Sequence, residues 1–191
     1  MVTTNEIPMA SDEALMEALC AGDDAAFDAL LRRYRTRVLN FAHRLLGDRD
    51  AAEDVAQQTF VQVYTRCQTF RTGQRFSTWL YAIAKNLCRK EARRLARRGD
   101  FLPLAEVTDE PAPPHFQPEV RVEQRERIRR VREALAQLPL AQRTLIVLYE
   151  YEGWPHADIA AVLGCSVTAC KVRLHRARQR LRTLLADLLE A

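Results

Sequence analysis

Apolar residues recur every three or four positions along most of this chain, which is the spacing of one side of an α-helix. Three such stretches lie in the first half, over residues 27–45, 52–63 and from Phe76 onward, and the pattern resumes at Ile128. No stretch shows the strict alternation that predicts a β-strand. The spacing therefore predicts an all-α fold.

A stretch from Gly99 to Val120 separates the two halves, with five prolines, five acidic residues and no helical spacing. Such a composition is typical of a flexible linker. We therefore predict two small helical domains, residues 23–98 and 123–191, joined by a linker over 99–122. Residues 1–22 are predicted to be an N-terminal extension.

Length and apolar content bound the class of protein. The chain has 191 residues, of which 48% are hydrophobic, and this is enough to build real cores. No apolar run reaches the length of a membrane span, and the first ten residues do not resemble a secretion signal. We expect a cytoplasmic protein without membrane insertion.

The five cysteines include no C-x-x-C pair, and their odd number argues against a disulfide framework. Cys165, Cys170 and His175 offer the one alternative, a metal or redox site. Their five-residue gap matches no common zinc spacing, so we predict neither a metal nor a cofactor.

The net charge is only +4, but the charges are unevenly placed. No Lys or Arg precedes Arg32. Lys85 to Arg98 carries seven basic residues against the single acid Glu91, and Lys171 to Arg182 carries six basic residues and no acid. Two separated basic segments predict two contact zones on a polyanion. Solvated helix faces are the alternative for either segment alone.

The second basic segment follows a helix-turn-helix pattern. Residues 155–163 predict a short helix, Gly164 and Cys165 a tight turn, and Ser166 the N-cap of the next helix. A buried stripe is expected at Val167, Cys170, Leu174, Ala177 and Leu181. The candidate DNA contacts are Ser166, Thr168, Lys171, Val172, Arg173, His175, Arg176 and Arg178.

Within that set, Lys171 and Arg176 are the main candidates for base contacts. Arg178 and the later arginines are better placed to pair with phosphates or acids. His175 could contact DNA or simply be solvated.

Three motifs, in this order, resemble the extracytoplasmic-function (ECF) sigma factors of bacterial RNA polymerase over nearly the whole chain. GDRDAAEDVAQQTF, from Gly47, is similar to the family's polymerase-binding helix. FRTGQRFSTWLYAIAKNLCRKEARR, from Phe70, is similar to its promoter-melting segment. EGWPHADIAAVLGCS with KVRLHRAR is similar to its upstream-element reader.

The resemblance implies a role for each segment. Core polymerase binding, at the beta-prime clamp, falls to Glu53, Asp54, Gln57 and Gln58, although an ordinary charged helix start would also explain these residues. Contact with the minus-ten element and the melted strand falls to Gln74, Ser77, Thr78, Lys85, Asn86, Arg89 and Arg93. Beside these, Phe76, Trp79 and Tyr81 could hold an unstacked base, but Trp79 fits the core stripe better.

The implied protein is a two-domain initiation factor: a sigma region 2 helical bundle and a sigma region 4 helix-turn-helix. It would direct core RNA polymerase to promoters, bind minus-thirty-five and minus-ten elements and promote melting, with no enzymatic chemistry of its own. Expected partners are core polymerase (beta-prime clamp and beta flap), promoter DNA and an anti-sigma factor. Thr168-Ala169-Cys170 replaces the Gly-Thr-Val frequent in the family, so the base preference cannot be transferred.

Without the family resemblance, the residues are also compatible with two other classes of protein. An ordinary helix-turn-helix regulator would use its first domain to sense a ligand or to dimerise. A nucleic-acid enzyme is disfavoured because the sequence has no phosphate-cradling loop and no clustered His-carboxylate or Cys-His set.

Overall fold

The computed structural model describes residues 10–71, 73–98 and 118–186, and the regular structure there is helical throughout. The helices are α1 (Asp12–Cys20), α2 (Asp24–Leu46), α3 (Arg49–Thr65), α4 (Phe76–Arg98), α5 (Pro118–Gln137), α6 (Leu140–Ile146), α7 (His156–Leu163) and α8 (Val167–Leu184). A 3-10 turn, Cys67–Thr69, follows α3, and a π-helical turn, Val147–Tyr151, continues α6. The all-α prediction is confirmed.

The long helix α2 is the centre of the first domain. Asp23 caps its start by accepting a hydrogen bond from the Ala25 amide at 2.9 Å. Gly47, with a φ of 77°, ends it in the left-handed conformation that glycine adopts most easily. Its predicted apolar stripe packs against α3 and α4: Leu30, Tyr34, Val38, Phe41 and Leu45 are buried, and Phe27 and Leu31 are partly buried.

Helix α1 belongs to this domain, although the sequence predicted only an extension over residues 1–22. Leu15, Met16 and Leu19 are buried in the core. Asp12 accepts hydrogen bonds from Arg33, at 2.7 Å, and from the Tyr34 hydroxyl. Glu13 accepts one from the Phe76 amide, at 2.9 Å, and so holds the start of α4. The first helical unit thus begins at Asp12.

The second domain contains α5 to α8. Helix α5 begins at Pro118, inside the predicted linker of 99–122, because proline is well tolerated in a first helical turn. The rest of that linker, residues 99–117, lies outside the described residues. Within the described part of the chain, no helix combines the length and apolar character needed to cross a membrane.

The helix-turn-helix forms as predicted. Gly164, with a φ of 65°, ends α7 in the left-handed region, and the Ser166 hydroxyl accepts a hydrogen bond from the Ala169 amide at 3.1 Å to start α8. Ile159, Ala160 and Val162 of α7 are buried, as are Cys170, Leu174 and Ala177 of α8.

The two domains pack against each other. Helix α7 lies on α4, and the segment from α5 to the π-helical turn lies on α2. The rings of Tyr81 and Trp154 meet across this interface with centroids 4.8 Å apart.

Candidate nucleic-acid interface

The outer side of α8 is exposed to solvent and carries the predicted DNA contacts. Ser166, Thr168, Lys171, Val172, Arg173, His175, Arg176 and Arg178 are all exposed. Thr168, Val172 and His175 lie opposite the buried stripe, while Lys171 and Arg173 lie on its two flanks. The helix therefore offers a mixed face of hydroxyl, imidazole, aliphatic and cationic groups, which suits a major groove.

Val167 corrects the predicted stripe, because 42% of it is exposed. It precedes the buried Cys170 by three residues, which places it about 60° around the helix, at the edge of the stripe. Val172 is exposed to 46%. The first two turns of α8 thus present two aliphatic side chains to solvent.

Arg178 is engaged within its own domain. Its Nε donates to Glu150 Oε1 at 2.8 Å, and its guanidinium lies 4.4 Å from the centroid of the Tyr149 ring. The hydrogen bond with Glu150 raises the pKa of Arg178. This arginine braces α8 against the π-helical turn, the acid pairing that was one of its two predicted uses.

The polar side of α4 is only partly accessible. Asn86, Arg89 and Arg93 are exposed and, at spacings of three and four, share one side of the helix. Lys85 is half-buried, and its Nζ donates to the Val162 carbonyl of α7 at 2.7 Å. Burial, followed by the nearby charge of Arg89, lowers the pKa of Lys85. Gln74 and Ser77 are partly exposed.

Three residues of the predicted strand-binding surface belong to the core. Thr78 is only 7% exposed, so its hydroxyl does not face solvent as predicted. The rings of Phe76 and Tyr81 are buried too and cannot stack on a base. Trp79 is partly buried, with its ring edge-on to Phe70 at 5.5 Å, which agrees with a core position.

The exposed side of α3 carries the predicted polymerase-binding residues. Glu53, Asp54, Gln57 and Gln58 all face solvent, and Glu53 accepts a hydrogen bond from Arg49 at 3.1 Å. The stripe continues to Val61, which is 55% exposed and was not predicted. Its position, seven residues after Asp54, is the signal that could have identified it.

The alternative metal site finds no geometric support. Cys170 is fully buried on the inner side of α8, while His175 is exposed on the outer side. Among the described residues, no group of three or more potential ligands converges.

Two models of protein families match the chain, and they coincide with the two domains. Residues 30–98 match sigma-70 region 2, and residues 128–181 match sigma-70 region 4. The RNA polymerase sigma-H factor of Pseudomonas aeruginosa is 34% identical over 187 residues, which cover 93% of this chain and 95% of that protein. The chain belongs to the sigma-70 family.

Other relatives place this sigma factor in the ECF group. The ECF RNA polymerase sigma factor SigW of Bacillus subtilis is 31% identical over 175 residues, covering 87% of this chain and 92% of that protein. A solved structure of the sigma factor RpoE with the anti-sigma factor NepR, from Bartonella quintana, superimposes with a TM-score of 0.65 at 28% identity. It covers 84% of this chain and 96% of that one.

Proposed function

We propose that this ECF sigma factor brings core RNA polymerase to promoters by using three helical faces. The observation that carries the proposal is their coexistence in one chain: an acidic and amide stripe on α3, and a basic face on each of two domains. A regulator that acts alone would need no such stripe.

The α3 stripe is the proposed binding surface for core polymerase. Glu53, Asp54, Gln57 and Gln58 offer carboxylates and amides that suit a basic coiled coil, such as the beta-prime clamp. Val61 extends the stripe with an exposed apolar side chain. Burying this side chain against a protein partner would remove it from water and so favour binding. The beta flap is the proposed partner of the second domain.

The upstream element is proposed to bind the outer side of α8. Lys171 and Arg176 are exposed cations suited to guanine edges, and Thr168 and Val172 can contact base edges and thymine methyl groups. Ser166, Arg173 and His175 lie within reach of the backbone or of flanking bases. Arg178 contributes indirectly, because it fixes α8 to Glu150.

The minus-ten element is proposed to bind along α4. Asn86 and the partly exposed Gln74 and Ser77 supply hydrogen bonds, while Arg89 and Arg93 follow the phosphates. Thr78 has no place in this surface while it is buried. Promotion of melting would come from binding the opened strand, and the chemistry of transcription belongs to the polymerase.

Run-off transcription on genomic fragments tests the function directly. We expect specific transcripts only when core polymerase and this chain are both present. The double variant Asp54→Lys, Gln57→Lys should lower initiation by about tenfold or more, because reversed charge repels a basic partner. Asp28→Lys, an exposed reversal on α2, is the matched control and should retain initiation.

Two results would contradict the proposal. Unchanged initiation by a folded Asp54→Lys, Gln57→Lys variant would remove α3 from polymerase binding. Tight, specific promoter binding by the chain alone, without transcripts on adding core polymerase, would favour a helix-turn-helix regulator.

We also propose control by an anti-sigma factor. A structural relative is solved in complex with one, and that comparison covers both domains of this chain. Native complexes purified from uninduced cells should contain a stoichiometric partner, and their absence would count against such control.

A further inference from the structure

Two of the five cysteines meet where the end of α1 contacts the 3-10 turn Cys67–Thr69. Cys20 is the last residue of α1, and its carbonyl, which lacks a partner within the helix, accepts a hydrogen bond from the side-chain amide of Gln68 at 2.8 Å. This bond holds Cys67, the chain neighbour of Gln68, against the end of α1. The thiols of Cys20 and Cys67 are hydrogen-bonded to each other. The fold thus brings together two thiols that are far apart in the sequence.

The surroundings of this pair distinguish it from the other cysteines. Cys88 and Cys170 are fully buried, where an oxidant in solution cannot reach them. Cys20 and Cys67 are only partly buried and pack against the edge of the core. Cys165 is also partly buried, but its neighbour Cys170 is not accessible. The Cys20–Cys67 pair therefore combines two accessible thiols in mutual contact.

We infer that Cys20 and Cys67 form a reversible disulfide when the chain meets a peroxide, and that this bond ties the segment leading into α4 to α1. Two thiols in hydrogen-bond contact need to approach only a little further to reach the length of an S–S bond. Where thiols are otherwise kept reduced, such bonds are usually transient and redox-sensing. The odd number of cysteines argues against a disulfide framework but is no obstacle to a single bond of this kind.

The reaction balances with hydrogen peroxide as the oxidant, a molecule small enough to reach a half-buried sulfur. Burial, followed by the hydrogen bond with Cys67, raises the pKa of Cys20 to about 11, so Cys20 stays protonated at neutral pH. Because the thiolate is the reactive form, the attack on the peroxide falls to Cys67, which takes one oxygen, becomes a sulfenic acid and releases one water. The Cys20 sulfur then attacks the sulfenic sulfur, and the hydroxyl leaves with the Cys20 proton as a second water. Two thiols are oxidised, and one peroxide is reduced to two waters.

The disulfide would strengthen the hold of α1 on the connection between α3 and α4. Glu13 of α1 already accepts a hydrogen bond from the amide of Phe76, the first residue of α4, at 2.9 Å. A bond to Cys67 would add a covalent tie near the other end of the same connection. That connection carries Gln74, a proposed contact of the minus-ten element, so the oxidised chain should adapt less readily to DNA. This effect on DNA rests on the proposed function of α4, whereas the disulfide itself does not.

Peptide mapping of the full chain tests the disulfide. The reduced chain is treated with hydrogen peroxide, the oxidant is removed with catalase, and free thiols are alkylated. Digests are then analysed by mass spectrometry with and without dithiothreitol. We expect a peptide that joins Cys20 to Cys67 and is lost on reduction, and a fall in the thiols titrated after denaturation from five to three as two of them pair. Cys88, Cys165 and Cys170 should remain free.

Serine variants assign the roles of the two thiols. In Cys20→Ser, the oxidation of Cys67 should stop at the sulfenic acid, which dimedone labels. In Cys67→Ser, Cys20 should stay reduced, because its raised pKa leaves little thiolate. Cys165→Ser is the matched control, since Cys165 is also partly buried, and it should form the Cys20–Cys67 bond as the wild type does. Circular dichroism checks the folding of each variant, and the wild-type map stands without any of them.

Three results would each overturn the inference. The first is a wild type that loses no thiols in peroxide. The second is an oxidised Cys67 that never pairs with Cys20, and the third is a disulfide that involves Cys165 or Cys170 instead.

Promoter opening by the pre-oxidised chain tests the consequence for DNA. Permanganate reactivity of unpaired thymines should be about threefold lower with the oxidised than with the reduced wild type, and it should recover with dithiothreitol. Peroxide treatment of Cys67→Ser should change nothing. A mapped disulfide with unchanged opening would overturn the effect on DNA. A reduced chain that never opens promoters would refute the proposed function, while the disulfide map would be unaffected.

Discussion

The two basic helices of this sigma factor differ in what covers them. On α8, the side that carries Thr168, Val172 and Arg176 is open to solvent along its length. On α4, Thr78 is in the core and Lys85 contacts α7, so only the later turns are open. Similar sequences of basic residues thus give one preformed surface and one that depends on the position of the other domain.

The difference has a consequence for the order of events. A preformed surface can bind its DNA element as soon as it is presented, whereas a covered surface must first lose its intramolecular partner. If the proposed roles of the two helices hold, we expect α8 to engage the upstream element before the proposed strand-binding surface of α4 is complete.

The largest effect is expected on the open surface. Replacing both Lys171 and Arg176 by alanine should cost about 2–6 kcal/mol of upstream-element binding, since each good base contact supplies about 1–3 kcal/mol. Run-off transcription from a promoter and from copies with a scrambled upstream element measures the loss. Arg182→Ala, also exposed on α8, is the control. An equal loss from the control would mean that α8 contributes only general charge.

On the covered surface, Asn86 and Thr78 should separate contact from packing. Asn86→Ala should slow promoter opening about fivefold to tenfold. This factor corresponds to the loss of one hydrogen bond, which contributes about 1 kcal/mol. Thr78→Val, which keeps the shape of a buried side chain, should leave opening unchanged at equal amounts of folded protein. Permanganate reactivity of unpaired thymines measures opening. A larger defect in opening from Thr78→Val than from Asn86→Ala would indicate that Thr78 contacts DNA after all.

Which side of each helix is buried and which is exposed could mostly be predicted from apolar spacing, because the apolar side of a helix faces the core. That signal found the stripe from Phe27 to Leu45 and the exposed side of α8, while the end of α7 was predicted from Gly164 instead. It failed for Val167, which lies at the edge of the buried stripe of α8. A side chain at such an edge is buried only if the helices packed against the stripe extend far enough to cover it. The apolar spacing also missed α1, whose three core residues are too few to show a period.

The covered state of α4 could not be predicted in the same way. The partner of Lys85 is a backbone carbonyl 77 residues away, and backbone groups leave no trace in a side-chain pattern. Thr78 was misplaced for a related reason: hydrogen-bonding capacity suggested a DNA contact, but the packing of Phe76 and Leu80 turns that part of α4 inward.

Val172 offers a finer test of the open surface. An aliphatic side chain in the middle of a polar face is suited to the methyl group of thymine. Replacing thymine by deoxyuridine within the upstream element should weaken the wild type about threefold to fivefold at the contacted base, roughly one methyl group's worth. Val172→Ala should bind both DNAs alike. If the variant retains the full discrimination, another side chain contacts that methyl.

The smallest expected effect concerns the brace behind α8. Glu150→Gln removes the charged partner of Arg178 and should lower the free energy of unfolding by about 0.2–1 kcal/mol, as is usual for exposed ion pairs. Urea denaturation of Glu150→Gln, Arg178→Gln and the double variant isolates the pair's interaction energy. Additive losses would show that Arg178 stabilises α8 by stacking on Tyr149 alone.

The π-helical turn Val147–Tyr151 also fixes the rotation between the helices that precede it and those that follow it. Such a turn holds one residue more than an α-helical path of the same length needs, and removing a residue would rotate everything beyond it by about 100°. Tyr149 now faces Arg178 of α8, and Tyr151 faces Arg44 of the first domain. The extra residue thus fixes the rotation of α7 and α8 relative to α5 and α6. The number of residues in this one turn therefore determines the direction in which the exposed side of α8 faces.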